Sequence, residues 1–137
     1  MAFKLNTIKN TVSNRNVIKP AALVTVRGSL YTNNLTTGLL EAATTTTLPT
    51  QILYVSNENI AAAQNLTSVN CSIISTDDEF LVDTSANTAA ANNGQRMVIT
   101  AGGATVTNSG TDAPTAPFIQ ITPVGVAADR KIIAIKQ

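Results

Sequence analysis

Histidine and tryptophan are missing from this 137-residue chain, and cysteine occurs once, as Cys71. Without histidine, neither a Ser-His-Asp nor a Cys-His relay can be assembled, and a zinc site with an imidazole ligand is ruled out. A single thiol makes neither an internal disulfide nor a thiolate zinc cluster, so the fold does not depend on an oxidising compartment. In the run Asn70-Cys71-Ser72-Ile73-Ile74 it reads as a buried strand residue. Charged residues are scarce at 12% and aromatic ones at 4%, the latter being Phe3, Tyr31, Tyr54, Phe80 and Phe118. Five rings scattered along the chain offer neither a base-stacking surface nor the platform of a carbohydrate cleft. No apolar run approaches the roughly 18 residues of a membrane span. Residues 1–10 lack the apolar core of a secretory leader, so none is expected. Phosphate-binding loops, dinucleotide fingerprints and calcium-loop registers are likewise missing. The chain is therefore expected to be no enzyme, to need no cofactor or metal, and to bind neither nucleic acid nor membrane.

Threonine, alanine and asparagine are abundant instead. They supply polarity without charge, and such a surface is cheaper to bury against another protein than one of lysine and glutamate. The net charge of +1 conceals a division: Lys4, Lys9, Arg15, Lys19 and Arg27 all precede the first acid, Glu41, after which acids outnumber bases eight to four. A basic leading segment and a mildly acidic body follow, the former suited to an acidic partner or a neighbouring subunit.

The stretch 80–108 organises the remainder. Phe80-Leu81-Val82, Arg96-Met97-Val98-Ile99-Thr100 and Ala104-Thr105-Val106-Thr107 are short β-branched runs, separated by Asn93-Gly94 and Gly102-Gly103. Those dipeptides are hairpin punctuation, and the unit reads as three consecutive antiparallel strands. Further strands are expected in 21–32, with Val24, Val26 and Leu30 on one face, and in 51–56, 69–75, 118–122 and 131–136. A short helical piece is expected within 35–43. Residues 57–65 fit either a turn of helix or an extended rim. The sum is an all-β fold, a small antiparallel sandwich or barrel of about seven to nine short strands. Residues 1–20 read as an extended N-terminal arm and 21–137 as a single β-rich domain.

Asp77-Asp78-Glu79 with Asp83 is the one cluster with chemistry of its own. It could hold a divalent cation, but a solvated turn is the more ordinary reading.

The run Asp83-Thr84-Ser85-Ala86-Asn87-Thr88 through Asn93-Gly94-Gln95-Arg96-Met97-Val98-Ile99 resembles small β-rich structural proteins of tailed bacteriophages. So do Gly102-Gly103-Ala104-Thr105-Val106-Thr107-Asn108-Ser109-Gly110-Thr111 and the ending from Val124 to Ile135. The class is that of capsid decoration, or cement, proteins. The resemblance spans roughly 79–137 and is one of texture and turn pattern, with no ligand signature. It implies a virion protein on the outer surface of an icosahedral shell, made in the host cytoplasm. Its partner would be the major capsid protein, with homotrimers bracing neighbouring capsomers through an N-terminal arm. On that expectation Lys4, Lys9, Arg15 and Lys19 are capsid-facing electrostatic contacts, and Phe3, Leu5 and Ile8 are apolar anchors of the arm. The alternative is a tail- or head-fibre component with a receptor- or glycan-binding β-domain, for which Tyr31 or Tyr54 would form an exposed aromatic patch.

Overall fold

The computed structural model describes residues 3–7, 13–47, 50–76, 78–86, 88–108, 116–124 and 131–136. Eleven strands follow one another: β1 (Phe3–Thr7), β2 (Ser13–Lys19), β3 (Leu30–Asn33), β4 (Leu40–Ala42), β5 (Tyr54–Ser56), β6 (Thr67–Ile73), β7 (Glu79–Asp83), β8 (Arg96–Thr100), β9 (Thr105–Asn108), β10 (Phe118–Val124) and β11 (Lys131–Lys136). They form a six-stranded sheet, β1-β7-β11-β10-β8-β9, and a five-stranded sheet, β2-β6-β5-β3-β4. Every ladder is antiparallel. The all-β sandwich expected from the strand spacing is the architecture found, as two sheets and not a closed barrel. Two of the strands come from the first nineteen residues.

Those residues are extended, and they are paired along both strands. β1 runs antiparallel to β7 from Phe3↔Val82 to Thr7↔Glu79, and β2 runs antiparallel to β6 from Ser13↔Ile73 to Lys19↔Thr67. Partner numbers add to 86 at Thr7↔Glu79 and again at Ser13↔Ile73, so one register carries through from the first sheet to the second. One irregularity interrupts it, between Leu5 and Thr7. Residues expected as an arm thus form the outer strand of a ribbon that spans both sheets.

The main core lies between the sheets. Phe3, Leu30, Leu53, Val55, Phe80, Val82, Met97, Ile99, Val106 and Phe118 pack there with Ile74 and three alanine-sized gap fillers' worth of space taken by Ala43 and Ala134 among them. Phe3 and Phe118 have ring centroids 5.5 Å apart, and Phe80 meets Phe118 edge-on at 6.3 Å, arrangements that the ring quadrupole favours. A second core, Tyr31, Leu40, Tyr54, Val69 and Cys71, fills the opposite face of the five-stranded sheet. β3 and β5 are therefore buried on both faces, which accounts for the unbroken apolar run Leu53-Tyr54-Val55.

Several local expectations are revised. β7 does not neighbour β8: β11 and β10 stand between them, so only β8 and β9 form a hairpin of the expected meander. The stretch 35–43 contains no helix. It is the turn and second strand of the β3–β4 hairpin, where Asn34 Oδ1 accepts from the N–H groups of Thr36 and Thr37, an Asx turn that competes with helix. Of 21–32 only the end is a strand. Gly28 has φ +86 and Ser29 N–H donates to Val26 O, so the chain turns and the alternation changes phase; Val24 and Val26 are exposed and Leu30 is buried. Residues 57–65 are extended, and Thr25 and Ile60 form an isolated antiparallel bridge. Pro123 lies inside β10 and pairs in register with Ile132. β8 pairs with β10 only at Phe118 and Ile119, so Pro123 interrupts no described ladder on that side.

Candidate functional site

The expected contact residues fall in different places. Phe3 is buried in the main core, where it anchors the chain to itself. Lys19, at the end of β2, is fully buried, and its Nζ donates to the carbonyls of Pro20 and Ala21 at 3.3 Å each. Arg15 is exposed, and its guanidinium donates to Asn14 O at 3.0 Å. Lys4 and Leu5 are on β1, paired through the backbone with Leu81 and Phe80. Ile8 and Lys9 lie outside the described residues.

All five aromatic residues are buried, none more than 7% exposed. Tyr31 Oη accepts from Val26 N–H at 2.9 Å, and Tyr54 Oη donates to Asn33 Oδ1 at 2.7 Å. Burial raises both hydroxyls above their ordinary pKa. Cys71 is closed off as well: burial, and then the nearby Glu58 carboxylate, push its thiol up to about 11. A thiol so held is protonated at neutral pH and inert as a nucleophile. In the acidic cluster, Asp78 is buried, Glu79 and Asp83 are half-buried strand residues of β7, and Asp77 lies outside the described residues. Among the described residues no group of three or more His, Cys, Asp or Glu side chains is placed to hold a metal ion, and no helix is long and apolar enough to cross a membrane.

What remains for contact is surface, and one part of it has a built order. On β6, Val69 and Cys71 face the second core, so Ser68, Asn70 and Ser72 face the other way, and on β2 their partners Ile18, Asn16 and Asn14 do the same. Asn57, just past β5, feeds this face. Its Nδ2 donates to Asn70 Oδ1 at 2.8 Å and to Ser72 Oγ at 3.0 Å. Asn70 Nδ2 donates onward to Asn16 Oδ1 at 3.4 Å, and Ser72 Oγ to Asn14 Oδ1 at 2.9 Å. Glu58 Oε2 accepts from Asn70 N–H at 2.8 Å. Exposed Ile18 and Leu66 complete one end. The result is a face of amides and hydroxyls with a small aliphatic margin, next to the exposed Arg15. The asparagine richness was visible in the sequence; the register that gathers Asn14, Asn16, Asn57 and Asn70 was not.

No protein-family model matches this chain, and no curated protein or solved structure matches it.

Proposed function

We propose that the protein is a structural binding module of a virion, a decoration protein on the outer surface of a tailed-bacteriophage shell. The observation that supports this most is where the side chains go. Every aromatic ring and the only thiol are consumed in the two cores, while the outward surface is threonine, asparagine, alanine and a few aliphatics. A surface poor in charge and free of strained or reactive groups suits broad contact with another protein. Binding is then a matter of buried area and of many copies acting together on one shell. Arg15 is the exposed member of the expected contact set and would face the acidic surface of the major capsid protein.

The glycan-binding alternative needs a ring at the surface. Tyr31 and Tyr54 have their faces in the second core and their hydroxyls in internal hydrogen bonds, so the shell-binding reading is preferred. Co-sedimentation of the purified chain with expanded, undecorated phage shells tests it. Saturable binding at physiological salt is expected. Absence of binding, together with a positive signal on a glycan array, would replace this function by the fibre reading.

A further inference from the structure

We propose that the amide face of β2 and β6 is a contact between two copies of this chain, related by a two-fold axis near Asn16. The hydrogen bonds on this face have a direction. They leave Asn57 Nδ2, pass through Asn70 and Ser72, and end on the carbonyl oxygens of Asn16 and Asn14. Among the described residues, the side-chain NH2 groups of Asn14 and Asn16 have no protein partner. Each of their Oδ1 atoms accepts one side-chain bond and keeps a second lone pair. Free donors and free acceptors are therefore carried by the same two exposed residues.

That combination selects the occupant. An isologous contact sets a patch against its own copy. A charged patch meets its own charge and is repelled, whereas an amide can donate to its twin and accept from it. Outward on this face the amides and hydroxyls are neutral, and the one neighbouring carboxylate, Glu58, is engaged by Asn70 N–H at 2.8 Å. Ile18 and Leu66, 43% and 62% exposed, supply apolar area at the margin of the same face, and depletion of charge is the mark of an interface centre. With a second copy in place, the amide network continues from Asn57 to Asn16 of one protomer into its partner and back. The contact stands whether or not the larger partner is a shell.

The test is sedimentation equilibrium of the full chain over a concentration series, with two charge variants. The wild type is expected to dimerise. Asn16→Asp and Asn16→Lys, each exposed and compatible with the fold, are each expected to weaken the dimer by about a hundredfold through like charge across the axis. An equimolar mixture of the two is expected to recover the dimer mass, since opposite charges then meet. Asn16→Cys adds a second readout: Cys71 is buried, so an intermolecular disulfide formed under mild oxidation reports the 16-to-16 contact alone. A wild type that is monomeric throughout, or a trimer by mass, overturns the proposal. So does a dimer indifferent to both charge variants.

Discussion

Phe118 is the side chain on which the main core turns, fully buried and in ring contact with both Phe3 and Phe80. Phe118→Ala is expected to cost about 3–5 kcal/mol, read from the shift in urea midpoint. Gly103 is a backbone requirement of a different kind: φ is +88, and a Cβ there would overlap the Leu30 carbonyl. Gly103→Ala should cost at least about 2 kcal/mol, clearly more than Gly102→Ala, where φ is also positive but the space is open. Cys71 gives a pH signature. Its thiol keeps its proton to about 11 in the folded chain, against an ordinary value of 9.0. Between those values the unfolded chain binds fewer protons, so this contribution is complete below pH 9 and is lost as pH rises toward 11. Tyr31 and Tyr54 act in the same direction, and Lys136, whose ammonium is lowered by burial, acts against them. Cys71→Ala should therefore show a shallower alkaline loss of stability than the wild type, measured by denaturation at each pH. At this scale the core was largely legible, because Phe80, Val82, Met97 and Ile99 alternate as strands do. Lys19 was not, since a lysine buried against backbone carbonyls has no local sequence mark.

Among the elements, the ribbon of β1 and β2 changes the domain picture most. Short strands with mixed polar residues carry a weak periodic signal, and what fixes them is pairing with β7 and β6, some sixty to eighty residues away. Local reading finds the extended conformation but not the partner. Removal of residues 1–19 would take Phe3 from the core and uncover one edge of both β6 and β7. The fragment 20–137 is accordingly expected to lack a cooperative thermal transition by circular dichroism. The segment 21–29 failed for the complementary reason: Val24 and Val26 alternate well, but the turn at Gly28 reverses which side is buried. The hairpin at 34–42 was hidden by leucines and alanines that favour helix, a preference overridden by the Asn34 turn and the pairing of β3 with β4.

Taken as one molecule, the chain directs its chemistry inward and meets partners with neutral faces. The two surviving parts of the basic segment then separate cleanly. Arg15→Glu should change stability by no more than about 0.5 kcal/mol while weakening attachment to shells. Lys19→Glu should instead destabilise the fold by about 3 kcal/mol or more, because it buries a carboxylate against the Pro20 and Ala21 carbonyls. Comparing denaturation midpoints with co-sedimentation for the two variants checks both. Composition disclosed the absence of catalytic groups and the polarised charge. The amide face, by contrast, exists only because two distant segments are held in one register.

Amide hydrogen exchange of the isolated full-length chain tests most directly whether its first nineteen residues belong to the folded body. Protection in Phe3–Thr7 and Ser13–Lys19 comparable to that of their partners in β7 and β6 is the expected result. Exchange of those segments at the rate of an unstructured peptide, beside a protected remainder, would contradict it and restore the free arm.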